Sequence, residues 1–376
     1  MTGGVDSDPM KIGVIGVGSI SDTYLRNLTG VYSQTIEVVG CSDLVPERSE
    51  KAQRRWDLPI TFESTQELLA DPVIEAVVVL TTPDGHFDTC WEAVSAGKHV
   101  YVEKPLCLTV EQGRALLSHA QAMGVQLSVA PDTCLGRSHQ VALEALDDGL
   151  IGHPVAASAV MLCHGHESWH PNPSFFYRPG AGPLLDMGPY YITALVSLMG
   201  SVVSVQGAAQ TTFFEREVLS EPLKGTKINV EVPTHVAALL QFESRSIATL
   251  VTSFDVWDSK TPHIEIHGSL GSMILPNPNW FDGEVLVSRF DDRVWRSLSP
   301  HVNDPIDRRG LGAIDLVRAV RVGQEPLLSG SLGLHVLEVM EAIAVSAESG
   351  ERIEVSKPLE RIRLRDEGRW PTAGTT

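Results

Sequence analysis

Two glycines near the start of the sequence, Gly16 and Gly18, have the spacing of a phosphate-binding turn. They follow the mainly apolar residues 12–15, which are typical of a buried strand, and precede a helical pattern that begins near Ile20. Gly16 lets the chain turn where a side chain would clash, and Gly18 lets backbone N–H groups approach a pyrophosphate. The first helical turn adds free N–H groups and the positive end of its dipole, so Gly16, Gly18, Ser19 and Ile20 predict a dinucleotide site. A glycine turn in another kind of α/β protein has the same pattern, and the motif alone does not decide between them.

A second apolar stretch, Ile36–Ser42, ends at Asp43. An acidic residue at the tip of this strand can accept both hydroxyls of an adenosine ribose, and it repels a 2′-phosphate. We therefore expect Asp43 to favour NAD over NADP. Two other interpretations remain open: Asp43 is a turn or helix-capping residue before Pro46, or the nearby Arg48 attracts the phosphate of NADP.

Strand and helix patterns alternate over residues 10–130, which predicts a parallel sheet with right-handed crossovers. Such sheets bind their ligands beyond the carboxyl ends of the strands. The residues expected at those ends are residues 16–19, Asp43, Thr81, Thr82, Pro83 and Lys104.

The pattern changes after residue 131. Short strand-like segments fill residues 202–287 with few helices between them, and this indicates a mainly antiparallel sheet. A helical pattern that opens near residue 180 runs through residue 198, and two more helices are predicted near the end of the chain. Asp186 and Tyr190 are four residues apart in the first of these helices, so they are expected on one face.

The composition narrows the possible partners. The sequence has 376 residues, 43% of them hydrophobic, which is enough for two cores. Its formal net charge of −18 disfavours nucleic acid and anionic membranes. The first ten residues lack the features of a signal peptide, and no apolar stretch approaches the roughly 20 residues that span a bilayer. The five cysteines form no CxxC pair, which indicates reduced thiols and a cytoplasmic location.

Three motifs agree in type and order with one known family. The glycine turn, the Glu103-Lys104-Pro105 segment and residues 180–191 (GAGPLLDMGPYY) together resemble the Gfo/Idh/MocA oxidoreductases, which include glucose–fructose oxidoreductase and inositol dehydrogenase. The resemblance covers roughly residues 10–355. In many relatives the last motif reads Asp-x-Gly-x-His. Asp186 matches it and Tyr190 replaces the histidine, so the chain is similar to the tyrosine-containing branch.

The resemblance implies the fold class and the division into domains. We expect an α/β protein with a Rossmann NAD(P)-binding domain over residues 1–130, of which residues 1–9 are disordered. Residues 131–376 are expected to form an α/β domain with an open, mainly antiparallel sheet, which binds substrate and forms oligomers. His86 is expected to contact the nicotinamide side of the cofactor or to cap a helix at Asp84. The expected cofactor-binding residues are Gly16, Gly18, Ser19, Ile20, Asp43, Thr81, Thr82, Pro83, His86, Glu103 and Lys104.

The resemblance also implies that Lys104 faces both nicotinamide and substrate. Oxidation of a secondary alcohol requires that the cofactor take a hydride and that a protein group take a proton. Tyrosine titrates near ~10 when unperturbed, and a nearby ammonium stabilises its phenolate, so Tyr190 and Lys104 could act as a unit. Asp186 could hold a substrate hydroxyl. Alternatively, Asp186 is a negative charge near the N-terminus of its helix, and Tyr190 is an aromatic side chain of the core whose hydroxyl is hydrogen-bonded.

Sugars and cyclitols present many hydroxyls and a weakly apolar ring face, which histidines and a tryptophan can bind. The loop that follows residue 163 supplies such side chains. It is also consistent with a solvated surface loop, or with a metal site in which Asp186 joins three histidines. We favour a substrate site without metal. The expected substrate-binding residues are His164, His166, Trp169, His170, Tyr177, Arg178 and Tyr191.

The sequence therefore predicts an NAD(P)-dependent dehydrogenase or reductase that acts on a CH–OH group of a sugar, sugar derivative or cyclitol. Two rivals remain: an NAD-dependent glycosidase or lyase that uses redox transiently, and a non-catalytic dinucleotide-binding regulator. The expected cofactor is NAD, with NADP possible. The expected assembly is a homodimer or homotetramer, with neither nucleic acid nor membrane as a partner.

Overall fold

The computed structural model describes residues 8–298 and 307–356. The predicted disorder of residues 1–9 lies mostly outside these described residues. The described chain forms two compact units, which are residues 8–135 with 307–334 and residues 136–298 with 335–356. The predicted domains divide at residue 130 and differ from these units mainly over residues 307–334, which pack with the first unit.

The first unit contains a six-stranded parallel sheet. Its strands are β1 (Met10–Ile15), β2 (Ile36–Ser42), β3 (Ile60–Thr61), β4 (Ala76–Val79), β5 (His99–Val102) and β6 (Leu127–Val129). The order β3-β2-β1-β4-β5-β6 is that of a Rossmann dinucleotide-binding fold, as predicted. Every residue of β4 is buried, as expected for a parallel strand covered on both faces.

Helices lie between these strands and continue through the second unit. The described helices are α1 (Ser21–Thr29), α2 (Pro46–Trp56), α3 (Thr65–Ala70), α4 (His86–Ser95), α5 (Val110–Met123), α6 (Arg137–Asp147), α7 (Gly182–Met199), α8 (Leu311–Val322) and α9 (Gly330–Ser349). In α1, the apolar positions Tyr24, Leu25 and Leu28 are fully buried. This burial at helical spacing is what fixes α1 against the sheet.

The second unit contains a nine-stranded mixed sheet in the order β16-β15-β14-β13-β7-β12-β11-β8-β17. Neighbouring strands are antiparallel except for β7 and β12, which confirms the mainly antiparallel prediction. A separate two-stranded sheet pairs β9 with β10. The strands are β7 (Pro154–Leu162), β8 (Val202–Gln210), β9 (Glu215–Glu217), β10 (Lys227–Asn229), β11 (His235–Phe242), β12 (Ile247–Ser253), β13 (Ile264–Gly268), β14 (Gly271–Leu275), β15 (Leu286–Arg289), β16 (Arg296–Ser297) and β17 (Ile353–Glu354).

The large sheet has one covered face and one open face. Helix α7 packs on β7, β11 and β12. Along β11 and β12 the buried positions alternate with partly or fully exposed ones, the pattern of a sheet packed on one side only. Leu239 and Ile247 are apolar side chains on the open face.

Among the described residues, α9 is long and apolar enough to cross a membrane by length and composition alone. Its most apolar stretch is 61% buried inside the protein. A mostly buried core helix has these same properties, so α9 is weak support for a membrane segment.

Candidate active site

The glycine turn has the geometry that the sequence predicts. Gly16 has φ +87°, and a Cβ there would lie 2.8 Å from the backbone nitrogen of Thr81. Both the conformation and the space therefore require glycine at this position. A Cβ on Gly18 would instead meet no described atom within 4 Å. The space beside Gly18 is open, as the approach of a phosphate requires.

Ser19 and Ile20 are exposed between this turn and α1. Ile20 is the N-cap residue of α1 and makes no side-chain capping bond to the first helical turn. The side chain of Ser21 is buried and donates to the carbonyl of Gly18 at 2.7 Å. The backbone N–H of Ser21 also donates to the carbonyl of Gly18, at 3.2 Å, so α1 begins directly beside the open space at Gly18. The positive end of the helix dipole there suits a phosphate.

Asp43 connects the end of β2 to the glycine turn. One carboxylate oxygen accepts from the backbone N–H of Val17 at 2.8 Å, and the other accepts from the N–H of Val45 at 2.9 Å. Arg48 lies 3.7 Å from the second oxygen, with its side chain 59% exposed. The turn contact of the alternative interpretation is thus present. Each carboxylate oxygen still has further acceptor capacity for a ribose hydroxyl.

The loop after β4 places Thr82 and Pro83 at the surface, while the hydroxyl of Thr81 is buried without a hydrogen-bond partner among the described residues. His86 is fully buried, with Nδ1 2.7 Å from the carbonyl of Pro105 and Nε2 3.1 Å from the carbonyl of Thr81. Burial lowers the pKa of His86. The ring connects two loops, and it has no exposed surface for the direct cofactor contact that the sequence suggests.

Glu103 is a buried carboxylate beside Lys104. Its Oε1 accepts from the hydroxyl of Tyr24 at 2.6 Å, and its Oε2 accepts from the backbone N–H of Lys104 at 3.0 Å. The Tyr24 hydroxyl also lies 3.2 Å from that of Tyr101. Burial, together with the charge of Glu103, raises the pKa of both tyrosines. Glu103 therefore orients the backbone of Lys104, in addition to any contact with a cofactor.

Asp132, just after β6, is a further buried acid of the first unit. Its Oδ2 accepts from the backbone N–H groups of Gly310 and Gly312 at 2.8 and 3.2 Å. Burial raises the pKa of Asp132 to about 6. Asp132 was not among the residues predicted from the sequence, although it follows the last parallel strand just as the predicted strand-end residues follow theirs.

In the second unit, α7 carries Asp186 and Tyr190 one turn apart, as predicted. The Asp186 side chain is partly exposed and Tyr190 is 7% exposed. The carboxylate of Asp186 has His166 beside it, with His166 Nε2 3.5 Å from Oδ2. The structure thus brings together Asp186 and His166, which the sequence analysis placed in separate groups of catalytic and substrate-binding residues.

Aromatic rings enclose the imidazole of His166. The ring centroid of Phe176 is 3.9 Å away, that of Phe254 is 4.7 Å away and that of Trp169 is 5.3 Å away. Trp169 itself is 61% exposed. This surface combines an exposed indole with a partly exposed carboxylate that is backed by a buried imidazole, which suits a ligand that has both hydroxyls and an apolar face.

A buried ionic network lies behind His166. Arg216 donates to Oε1 of Glu167 at 2.8 Å, and it also donates to a carboxylate oxygen of Asp255. Tyr177 donates its hydroxyl to the same Oε1 of Glu167 at 2.7 Å. Tyr177 is fully buried and burial raises its pKa, so it supports the loop and offers no surface to a substrate.

The other predicted substrate residues are dispersed. His164 stacks on Trp257 with ring centroids 3.5 Å apart, and Trp257 is 80% exposed. Tyr191 is buried and its hydroxyl lies 3.0 Å from Nδ1 of His263, so it has no surface for a substrate either. His170 is partly exposed and Arg178 is exposed. Trp257 is a candidate stacking residue that the sequence analysis missed, because nothing in its local sequence connects it to His164.

No group of three or more His, Cys, Asp or Glu side chains in residues 8–298 and 307–356 is arranged to hold a metal ion. The alternative metal site at the histidine loop therefore has no geometric support in this part of the chain.

Two family models match this chain, one in each compact unit. A model described as "Oxidoreductase family, NAD-binding Rossmann fold" matches residues 10–131. A second model, described as "GFO/IDH/MocA C-terminal domain", matches residues 139–274.

This chain is also similar to individual proteins along most of its length. The chain is 24% identical over 348 residues to myo-inositol 2-dehydrogenase of Thermotoga maritima, covering 93% of this chain and 99% of that protein. It is 28% identical over 356 residues to 1,5-anhydro-D-fructose reductase of Ensifer adhaerens, covering 92% and 99%. The structure of levoglucosan dehydrogenase in complex with NADH is similar in fold, with a TM-score of 0.79, 22% identity, and coverage of 93% of this chain and 100% of that one.

Proposed function

The chain belongs to the Gfo/Idh/MocA oxidoreductase family, and from this we propose that it transfers hydride between a nicotinamide cofactor and a secondary hydroxyl or keto group of a sugar, sugar derivative or cyclitol. The observation that carries the proposal is the glycine turn, in which Gly16 requires glycine and Gly18 leaves open space before the start of α1. Two relatives that align over almost their whole length support the substrate class, since their names describe a cyclitol dehydrogenase and a sugar-derivative reductase.

NAD fits the residues of the first unit. The turn at Gly16 and Gly18 and the start of α1 would hold the pyrophosphate, and Asp43 would accept the ribose hydroxyls. When bound, the nicotinamide supplies the hydride acceptor or donor. Thr82, Pro83 and the Glu103–Lys104 segment are the candidate residues for the nicotinamide side.

The remaining chemistry is proton transfer, which falls to this chain's own side chains. We propose that Tyr190 accepts the proton of the alcohol and that the ammonium of Lys104 stabilises negative charge on the phenolate and on the reacting oxygen. Asp186 would accept a hydrogen bond from a substrate hydroxyl and so orient the ring. The exposed indole of Trp169 would contact the apolar ring face.

Cytoplasmic location and self-association are part of the same proposal. All five cysteines are free thiols, which agrees with a reducing compartment. The open face of the large sheet carries exposed apolar side chains, including Leu239 and Ile247, which suits contact between copies of the chain in a homodimer or homotetramer.

A screen of sugars, cyclitols and other polyols with NAD and with NADP, read at the nicotinamide absorbance, tests the proposed reaction. Steady NADH formation from at least one polyol is the expected result. Cleavage of a glycoside without net NADH would favour the transient-redox glycosidase or lyase. Tight NAD binding without turnover of any substrate would favour a non-catalytic regulator.

Gly18→Ala tests the observation that carries the proposal. A methyl group at residue 18 meets no described atom within 4 Å, so the variant should fold with nearly unchanged stability. It should lose at least about tenfold in NAD affinity, because the methyl would occupy the space of the pyrophosphate. The measurements are thermal unfolding and calorimetric NAD titration. Unchanged NAD affinity would show that the cofactor does not bind at this turn.

A further inference from the structure

His166 has the geometry of a group that acts through a neighbouring carboxylate. It is 8% exposed, and its Nε2 lies 3.5 Å from Oδ2 of Asp186. The same Nε2 forms no hydrogen bond with any residue that the structure describes. Its backbone N–H donates to the hydroxyl of Tyr177 at 3.4 Å, and Phe176 packs on the ring. The backbone and the ring are thus both held, and Nε2 faces an anion.

Several charged or titratable groups lie on the loop of His166 and on neighbouring elements, and Asp186 differs from the rest in its contact with the imidazole. They are Asp186 on α7, Glu167, Cys163 and His170 on the same loop as His166, Arg216 on β9, Asp255 after β12, and Tyr177. Arg216 binds both Glu167 and Asp255, so each of these two carboxylates already has the guanidinium as its partner. Asp186 is the carboxylate in direct contact with the imidazole.

We propose that His166 is a positioning residue for Asp186, and that its protonation state decides whether the Asp186 carboxylate accepts a substrate hydroxyl or pairs with the imidazolium. The proposal rests on the proposed function, in which Asp186 orients a sugar or cyclitol ring. Neutral imidazole competes weakly for the carboxylate. Protonated imidazole forms a charge-assisted bond, which is shorter and about twice as strong as a neutral one, and it draws Oδ2 towards His166. Histidine is the side chain whose charge ordinarily changes between about pH 5 and 8.

The first consequence concerns the contact itself, and it needs no substrate. The unmodified protein, His166→Gln, Asp186→Asn and the double variant form a cycle whose unfolding is measured in urea at pH 5.5 and pH 8. We expect the two side chains to be coupled by at least about tenfold in the unfolding equilibrium at pH 5.5, about 1.4 kcal/mol, and to be nearly uncoupled at pH 8. Equal coupling at both pH values would overturn the proposal.

The second consequence concerns substrate binding. The assays use saturating NAD, with myo-inositol and D-glucose as probes. The KM of the unmodified protein for the probe should rise at least about threefold as the pH falls from 8 to 6, with a smaller change in kcat. In His166→Gln the KM should change little over this range, since glutamine cannot become charged. A purely structural role would shift KM equally at both pH values and would overturn the proposal.

A matched control comes from another histidine–carboxylate pair of the same unit. His267 Nδ1 lies 4.0 Å from Oε1 of Glu265, and the His267 side chain is 46% exposed. His267→Gln should leave the pH dependence of KM as it is in the unmodified protein.

If His166→Gln does not fold, His166→Asn and Asp186→Asn each remove the same pair, and each should flatten the pH dependence of KM. If neither probe is turned over, the pH dependence of KM is measured with a polyol that the screen identifies as a substrate. Turnover of no polyol in that screen would contradict the proposed function and the substrate part of this proposal together, whereas turnover with a pH-independent KM would overturn this proposal alone.

Discussion

The two compact units share one arrangement, a tyrosine hydroxyl that donates to a buried glutamate. In the first unit Tyr24 donates to Oε1 of Glu103 at 2.6 Å, and in the second Tyr177 donates to Oε1 of Glu167 at 2.7 Å. Each glutamate is adjacent in sequence to a candidate site residue. In both units, therefore, a buried hydrogen bond orients the backbone that carries the functional side chain.

The two units differ in how they compensate buried negative charge. In the first, Asp132 accepts two backbone N–H groups, and burial raises its pKa to about 6. In the second, Arg216 lies between Glu167 and Asp255 and binds both. In the first unit the charge of Arg309 and two backbone N–H groups partly offset the burial of Asp132, whereas in the second unit one guanidinium binds two carboxylates directly. Variants of Asp132 and Arg216 distinguish these two arrangements, and variants of the candidate site residues test the chemistry that the arrangements support.

The largest effect is expected at the candidate proton-transfer residues, one from each unit. Tyr190→Phe should keep the fold and NAD binding and should lose roughly 10²–10⁴ in kcat, the usual contribution of a positioned acid or base. Lys104→Ala should lose at least as much, because it removes both a charge and a hydrogen-bond donor. Steady-state kinetics over a range of pH is the measurement.

The double variant provides the control for this prediction. If Tyr190 and Lys104 act as one unit, the combined loss should be smaller than the product of the two single losses. Raising the pH should partly restore the kcat of Lys104→Ala, since the Tyr190 phenolate then forms without a neighbouring ammonium. Near-normal turnover by Tyr190→Phe would exclude Tyr190 as the base.

The next effect concerns the guanidinium of the second unit. Arg216→Met should destabilise the protein by about 3–5 kcal/mol at pH 7, because it leaves Glu167 and Asp255 buried without their cation. The loss should be smaller at pH 5, where the uncompensated carboxylates can take up protons. Urea unfolding at the two pH values is the measurement.

Arg296→Met is the matched control in the same unit. Arg296 pairs with Asp292 at the surface, with its side chain 58% exposed, so this variant should leave stability nearly unchanged. If both variants destabilised the protein equally, the buried network would have no special role.

The ionic network of the second unit could not be predicted from the sequence. Arg216 is 49 residues from Glu167 and 39 from Asp255, so no local pattern connects them. The turn at Gly16 and the position of Asp43 were predictable, because the backbone of a strand–turn–helix unit fixes them locally. Tyr177 and His86 were identified as site residues by type, yet both are fully buried, since type alone does not predict which way a side chain turns.

A smaller effect is expected from the buried acid of the first unit. A rise in the pKa of Asp132 from 3.8 to about 6 corresponds to about 3 kcal/mol. Because the folded state binds this proton more tightly, the contribution is fully present below pH 3.8 and is lost as pH rises towards 6. Asp132→Asn keeps an acceptor oxygen for Gly310 and Gly312 and cannot ionise.

The measurement is the difference in unfolding free energy between Asp132→Asn and the unmodified protein at several pH values from 4 to 7. Asp132→Asn should gain up to about 3 kcal/mol relative to the unmodified protein as pH rises through this range. Taking the difference removes the contributions of the other acidic groups. A constant difference would show that Asp132 ionises normally in the folded state.

The smallest effect is expected at Asp43, where one carboxylate has two candidate roles. If Asp43 accepts ribose hydroxyls, Asp43→Ala should lower NAD affinity by about tenfold or more, since a hydrogen bond to a charged group contributes about 1.5–3 kcal/mol. It should also narrow or reverse the preference for NAD over NADP, because the repulsion of a 2′-phosphate is lost and Arg48, 3.7 Å away, is released.

Asp43 also accepts a hydrogen bond from the backbone N–H of Val17, so Asp43→Ala loosens the glycine turn and for that reason weakens the binding of both cofactors. Asp43→Asn separates the two effects: it keeps an acceptor for the turn and removes the charge, so it should improve NADP binding while weakening NAD binding less than alanine does. Tighter binding of NADP than of NAD by the unmodified protein would instead assign Arg48 to the phosphate and leave Asp43 as a turn residue.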